Sequence, residues 1–350
     1  MALPSRQRTP NPPLGAYYGL VASLFVSLAI LLAMAEQLGW SHRSIARLMI
    51  LMPMILYMAI AVAARTLNIE DFFVSGRRVP QVYNGFLLAA ITVGGTGFFA
   101  YTGALFFAGF DGLAIGLGWV CGLLLAGVLF VPYLRRVGAY TLPAFFEQRF
   151  RSRQTRMVAS VLQIAPTFLL VAAEVNIAAM VLSIFLPAAF WLCVLIVILF
   201  IAATGILGGM RALTWSGSAQ FITGSLGLAI PLTIVAVVLT NLPAPQFTYG
   251  EMLGSLMNAE VASGVDTADP GLFTGLPGHE PAAAEKPFLQ AFGMISEAGY
   301  FALFVCFALG TAALPSLLAR SGVTASVADQ RRSTAWALLL VALFAITAPA

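Results

Sequence analysis

Residues Gly85–Gly109 read GFLLAAITVGGTGFFAYTGALFFAG. The stretch is apolar and long enough to cross the ~30 Å hydrocarbon core of a bilayer as a helix. Gly94, Gly95 and Gly97 cluster at its middle, and each costs a helix roughly 1 kcal/mol relative to alanine. The cluster predicts a helix interrupted at mid-membrane, where freed carbonyl groups suit a small cation and freed N–H groups suit an anion. The alternative is a close contact between unbroken helices, because small residues let backbones approach.

A second stretch has the same character. From Tyr300 the chain reads YFALFVCFALGTAALPSLLARSG, in which Gly310 and Thr311 precede Pro315. These residues predict another interruption near mid-membrane. A pair of interrupted spans is typical of transporters that are built from inverted repeats.

The composition fixes the class of protein. Of the 350 residues, 60% are apolar and 9% are charged, whereas soluble domains have about 45–50% and about 25%. In lipid the backbone must satisfy its hydrogen bonds internally, so the chain is predicted to be an all-α polytopic membrane protein. This excludes nucleic-acid readers, secreted disulfide scaffolds and cytosolic enzymes. The three cysteines and two histidines have no metal-ligand spacing, and no Walker A, GxSxG or HExxH pattern occurs. No catalytic residue, organic cofactor or metal site is therefore predicted, and the protein is not expected to be an enzyme.

Nine apolar stretches are predicted to be spans, and the last of them is short because the sequence stops inside it. They are Tyr17–Ala35, Ile45–Ala64, Gly85–Gly109, Leu113–Leu134, Met157–Phe185, Ala188–Leu207, Leu213–Leu239, Tyr300–Leu318 and Ala335–Ala350. With the N-terminus in the cytoplasm, alternation places 15 of the 18 arginines and lysines on the cytoplasmic side, as the positive-inside rule requires. The first span also resembles a cleavable signal peptide, an alternative that leaves the later topology unchanged.

Glu174 is an acidic residue near the middle of the span Met157–Phe185. A mid-membrane carboxylate is costly and is by default a functional candidate. Gln163, Thr167 and Glu174 are spaced by four and then seven residues, so they share one helical face that could line a cavity. Glu174 is a candidate proton carrier, and the alternative is a hydrogen-bonded structural side chain.

Five motifs together resemble the sodium:solute symporters, and most of all the acetate/monocarboxylate permease branch. They are DFFVSGRRVP (71–80), GFDGLAIGLGW (109–119), YLRRVGAYTLPAFFEQRF (133–150), GILGGMRALTW (205–215) and LGTAALPSLLAR (309–320). The resemblance implies a leucine-transporter-like fold of two inverted five-helix repeats in a bacterial-type inner membrane. It also implies that a sodium ion is held by the backbone carbonyls of Ala90 and Val93.

The resemblance implies a division of the chain into five parts. They are a tail with two leading helices (1–66), a cytoplasmic linker (67–84), the first repeat (85–240), an extracytoplasmic loop (241–290) and two helices of a second repeat (291–350). Because the family's repeats have five helices, the second repeat is expected to be incomplete and the sequence to be truncated.

Three departures from the family pattern bear on the site. Thr92 stands where proline symporters carry Asp, and the stretch from Trp215 to Gln220 lacks an acid that many members carry, which removes support for a second cation site. Acetate permeases carry Gln where Glu174 stands.

The resulting prediction is a cation-coupled importer, with sodium or a proton as the coupling ion. Its solute is a small organic molecule such as a monocarboxylate, and its other partner is membrane lipid. The candidate residues for solute binding and coupling are Thr92, Gly94, Gly95, Thr96, Gly97, Gln163, Thr167, Glu174, Gly310 and Thr311. The alternatives are the symporter-like sensor domain of a histidine kinase and a non-functional fragment.

Overall fold

A computed structural model of the chain describes residues 14–248, 250, 253–254 and 291–349. Within these residues the secondary structure is helical, with short turns and no strand. The α-helices, numbered in chain order, are α1 (Leu14–Gln37), α2 (His42–Ala63), α3 (Ile69–Val74), α4 (Gln81–Ala108), α5 (Leu113–Leu125), α6 (Val131–Val137), α7 (Leu142–Phe150), α8 (Arg153–Phe185), α9 (Phe190–Thr240), α10 (Glu297–Ala312), α11 (Pro315–Ala319) and α12 (Val327–Thr347).

Six helical stretches among the described residues are long and apolar enough to cross a membrane. They are Gly15–Gln37, His42–Ala63, Gly97–Val137, Arg153–Phe185, Phe190–Thr240 and Glu297–Gly322. The third and fifth contain 41 and 51 residues. At 1.5 Å per residue each is about twice the ~30 Å thickness of the bilayer core. The chain is thus an all-α polytopic membrane protein, while α12, which carries the last predicted span, is not among the six.

Helix α9 joins two predicted spans without an irregular loop. Its backbone is non-helical at Gly209, where φ is 52° and ψ is −136°. A Cβ atom at this position would lie 2.5 Å from the carbonyl oxygen of Phe72. Glycine is required for both reasons, since an L side chain rarely adopts this φ and has no room here.

The main core surrounds α5, which packs against α10 and α12, while α12 also packs against α4. Glycines let these helices approach closely. A Cβ at Gly118 would lie 2.5 Å from Cβ of Phe307, and one at Gly122 would lie 2.5 Å from the carbonyl oxygen of Ala308. Elsewhere α2 packs against α9, and α8 against α7 and α9.

The predicted cytoplasmic linker is an ordered element. It forms α3 and a 3-10 turn over Ser75–Arg77, and its buried Asp71 is paired with two arginines. Nη2 of Arg78 lies 3.1 Å from Oδ1 and Nη1 of Arg211 lies 3.4 Å from Oδ2 of this carboxylate. The linker is thereby attached to the second half of α9.

A third arginine, Arg320, is completely enclosed by protein. Arg320 is fully buried at the end of α11 and donates hydrogen bonds to the hydroxyl of Thr214 and to Sδ of Met210. The predicted extracytoplasmic loop 241–290 and the N-terminal tail lie largely outside the described residues, so their predicted roles stay predictions.

Candidate functional site

Helix α4 is interrupted at its midpoint. Gly94 has φ 61° and ψ 179°, whereas its neighbours on both sides are helical. The last four carbonyls of a helical segment have no partner within that segment. In the first half of α4 these are the carbonyls of residues 90–93, a set that includes the predicted ligands Ala90 and Val93. The second half begins at Gly95, whose N–H is correspondingly free of a partner in its own helix.

The carboxylate of Glu174 reaches this interruption from α8. The N–H of Gly95 donates a hydrogen bond of 3.1 Å to Oε2 of Glu174. The other oxygen, Oε1, lies 2.5 Å from where a Cβ of Gly94 would stand. A negative group is stabilised there, because the N-terminus of a helix carries a partial positive charge. The broken helix therefore holds a carboxylate that the chain itself supplies.

The predicted polar face of α8 is directed into the protein. Gln163, Thr167 and Glu174 are half-buried, whereas most of their neighbours on α8 are exposed. Thr167 donates a hydrogen bond of 2.7 Å to the carbonyl of Gln163. Oε1 of Gln163 is buried and has no hydrogen-bond partner among the described residues. The face of α8 that carries Glu174 therefore also carries a hydrogen-bond acceptor without a partner in the described part of the chain.

The other candidates on α4 have packing or local roles. The hydroxyl of Thr92 is buried and donates a hydrogen bond of 2.9 Å to the carbonyl of Leu88. Gly97 lies against Trp119, with 3.0 Å between the ring and the position of a Cβ. The side chain of Thr96 lies outside the described residues.

The second interruption lies within the predicted stretch, between Thr311 and Pro315. Helix α10 continues through Gly310 and Thr311 and ends at Ala312, and Leu314 has a non-helical ψ of 116°. The break follows from Pro315, which has no N–H to donate and disfavours helical backbone in the residue before it. Glycine in a helix is tolerated at a moderate cost, so it was the weaker of the two signals.

Thr311 contacts α5, not the Gly94 break. Its Cβ lies 2.6 Å from where a Cβ of Gly122 would be. Gly310 has open space beside it. The structure thus brings together Gly94, Gly95 and Glu174, and it places Thr311 at a helix contact.

Asp111 is a buried carboxylate in the turn after α4 and is not among the predicted site residues. Oδ1 accepts a hydrogen bond of 2.9 Å from the N–H of Phe292, and Oδ2 accepts from Met294 at 2.8 Å and Ile295 at 3.0 Å. Asp111 follows α4 and these N–H groups precede α10. The carboxylate therefore ties the turn after the C-terminus of α4 to the segment before the N-terminus of α10.

The comparison with protein families gives one match that covers most of the chain. The sodium:solute symporter family matches residues 72–348. The chain belongs to this family. Membership in this family points to a transporter rather than an enzyme.

Three curated relatives are symporters or transporters. An uncharacterized symporter of Cupriavidus necator is 24% identical over 95% of this chain and 61% of its own length. A monocarboxylic acid transporter of Corynebacterium glutamicum is 25% identical over 89% of this chain and 55% of its own length. An uncharacterized symporter of Bacillus subtilis is 26% identical over 81% and 50%. The chain spans about half to three-fifths of the length of these relatives.

Proposed function

We propose that this chain forms the membrane region of a cation-coupled importer of a small organic solute, with sodium as the coupling ion. The observation that carries the proposal is the break in α4 at Gly94, which faces the carboxylate of Glu174. A monocarboxylate such as acetate is the first solute to test, because one relative is a monocarboxylic acid transporter.

The cation site is proposed at the carboxyl end of the first half of α4. The carbonyls of Ala90 and Val93 are uncharged oxygen donors in a region that carries the partial negative charge of a helix C-terminus. Such donors suit a small hard cation. Sodium bound there would stabilise the conformation in which α4 is interrupted at Gly94. The sodium gradient would then bias the exchange between the outward-facing and inward-facing states.

Glu174 sets a condition on the solute. Its carboxylate occupies the N–H of Gly95, the group that an anionic solute would use at a broken helix. A monocarboxylate can bind this N–H only when Glu174 withdraws. If Glu174 instead carries the coupling proton, its neutral form would release the N–H more readily.

Uptake into proteoliposomes tests the proposal. Radiolabelled acetate should accumulate when a sodium gradient is imposed, and unchanged uptake after replacement of sodium by choline would reject sodium coupling. Solutes other than monocarboxylates serve as competitors, and competition by a neutral solute alone would reject the anionic assignment.

Glu174→Gln separates the two coupling ions. Under sodium coupling the variant should keep sodium-driven uptake and show a lower KM for acetate, because the resident negative charge is gone. Under proton coupling it should lose uptake driven by a proton gradient. Glu147→Gln is the control. Glu147 lies on α7, where it pairs with Arg156 of α8, and it has no contact with the break at Gly94.

A further inference from the structure

We propose that the groove between α5 and α12 binds one anionic glycerophospholipid, with its phosphate on Arg331. The groove has a volume of about 390 Å³. Its lining residues are Leu123, Leu124, Gly127, Val128, Arg331, Thr334, Ala335 and Leu338. The lining is apolar except for Arg331 and Thr334, and the volume lies within the ~300–1,000 Å³ range of small-molecule sites.

A local distortion of the helix forms one wall. Residues Ala126–Phe130 make a π-helical turn between α5 and α6. Pro132 lacks the N–H that a regular helix would give to the carbonyl of Val128, so the regular hydrogen-bond pattern cannot continue here. Gly127 then approaches α12 closely, with 2.8 Å between the position of its Cβ and Cγ2 of Thr334. This contact closes the floor of the groove.

The groove has a charged end and an apolar end. Along α12 it runs from Arg331 to Leu338, which is about 10 Å at 1.5 Å per residue. Leu124 and Val128 are exposed on the other wall, 52% and 63%. In a bilayer these side chains contact acyl chains. Arg331 lies in the second turn of α12, toward the side to which the charge distribution assigns the cytoplasm.

The charge at this end is not neutralised by the protein. Arg331 has no hydrogen bond or ion pair with any described residue, and no carboxylate lines the groove. The nearest acid along α12, Asp329, accepts a hydrogen bond from Ser326. The N-terminus of α12 and Arg135, which binds the carbonyls just before α12, add positive potential. A phosphate is the group that complements this end, and basic pockets between membrane helices bind anionic lipid headgroups.

Matched lipids and matched arginine variants test the site. The 350-residue chain is purified in detergent and stripped of lipid. Phosphatidylglycerol or phosphatidylcholine with the same acyl chains is then added, and bound lipid is counted by native mass spectrometry. Phosphatidylglycerol should bind more tightly than phosphatidylcholine. Arg331→Gln should weaken phosphatidylglycerol about fivefold and leave phosphatidylcholine unchanged. Arg332→Gln changes the same charge one residue away, outside the groove, and should keep the preference.

Three outcomes would overturn the proposal. Equal binding of the two lipids by the unmodified chain would show that the headgroup is not recognised. Equal losses in Arg331→Gln and Arg332→Gln would show a general surface charge and no groove. Full competition by glycerol phosphate, which has no acyl chains, would assign the arginine to a free phosphate.

Discussion

Gly94 meets two separate demands that only glycine satisfies. Its φ of 61° with a ψ of 179° lies in a region that is essentially restricted to glycine, and a residue held in such a region costs about 1–3 kcal/mol. Its Cα also faces Oε1 of Glu174, which leaves no room for a Cβ atom. The break in α4 and the seat of the carboxylate are therefore set by the same residue.

Gly94→Ala is expected to abolish solute uptake and to lower the thermal unfolding midpoint. Gly103→Ala is the matched control on α4, because its Cβ would meet no atom within 4 Å. A second substitution, Glu174→Ala in the Gly94→Ala background, removes the clash but not the strained φ, so it should restore stability only in part. Equal behaviour of Gly94→Ala and Gly103→Ala would contradict this account of the break.

At the scale of elements, the sequence predicted the break in α4 more closely than the break after α10. Three glycines lie within four residues of α4, so the position of the break is restricted to a short stretch, and the break occurs at the first of them. After α10 the prediction named Gly310, Thr311 and Pro315 together, and the break occurs just before Pro315. The kink of α9 at Gly209 falls between the predicted spans Ala188–Leu207 and Leu213–Leu239, whereas the close approach of Phe72 from α3 at this kink carries no signal in the sequence.

The Asp111 contact lay beyond sequence reasoning because it joins groups 181 to 184 residues apart. Its three hydrogen bonds attach the segment before α10 to the turn after α4. Each hydrogen bond to a charged group contributes about 1.5–3 kcal/mol. The two interrupted helices are therefore held at one end by a single side chain.

Asp111→Asn is expected to lower the thermal unfolding midpoint of the purified chain, because an amide supplies one acceptor oxygen where the carboxylate supplies two. Scanning fluorimetry in detergent measures the shift. Asp329→Asn is the control, since Asp329 caps the exposed start of α12 with Ser326 and water can replace its contacts. A shift for Asp111→Asn no larger than for Asp329→Asn would argue against the clamp.

On the scale of the whole molecule, the arginines have a role beyond setting the orientation. Arg77 donates a hydrogen bond of 2.7 Å to the carbonyl of Gly138, and Arg135 binds the carbonyls of Thr324 and Ala325. These contacts join helices that are far apart in the sequence. The sequence shows where these arginines lie along the chain, but their partners are backbone carbonyls, which carry no sequence signal.

The orientation of the whole chain is itself testable. Because 15 of the 18 cationic residues lie on one predicted side, that side should face the cytoplasm. In a variant with Cys121, Cys193 and Cys306 replaced by serine, Leu38→Cys and Gln154→Cys each place one thiol at an exposed position near opposite ends of the bundle. A membrane-impermeant maleimide added to intact cells should label the first variant, and it should label the second only after permeabilisation. The reverse pattern would invert the topology. It would also move the lipid site at Arg331 to the opposite leaflet, because Arg331 and Gln154 lie on the same predicted side of the membrane.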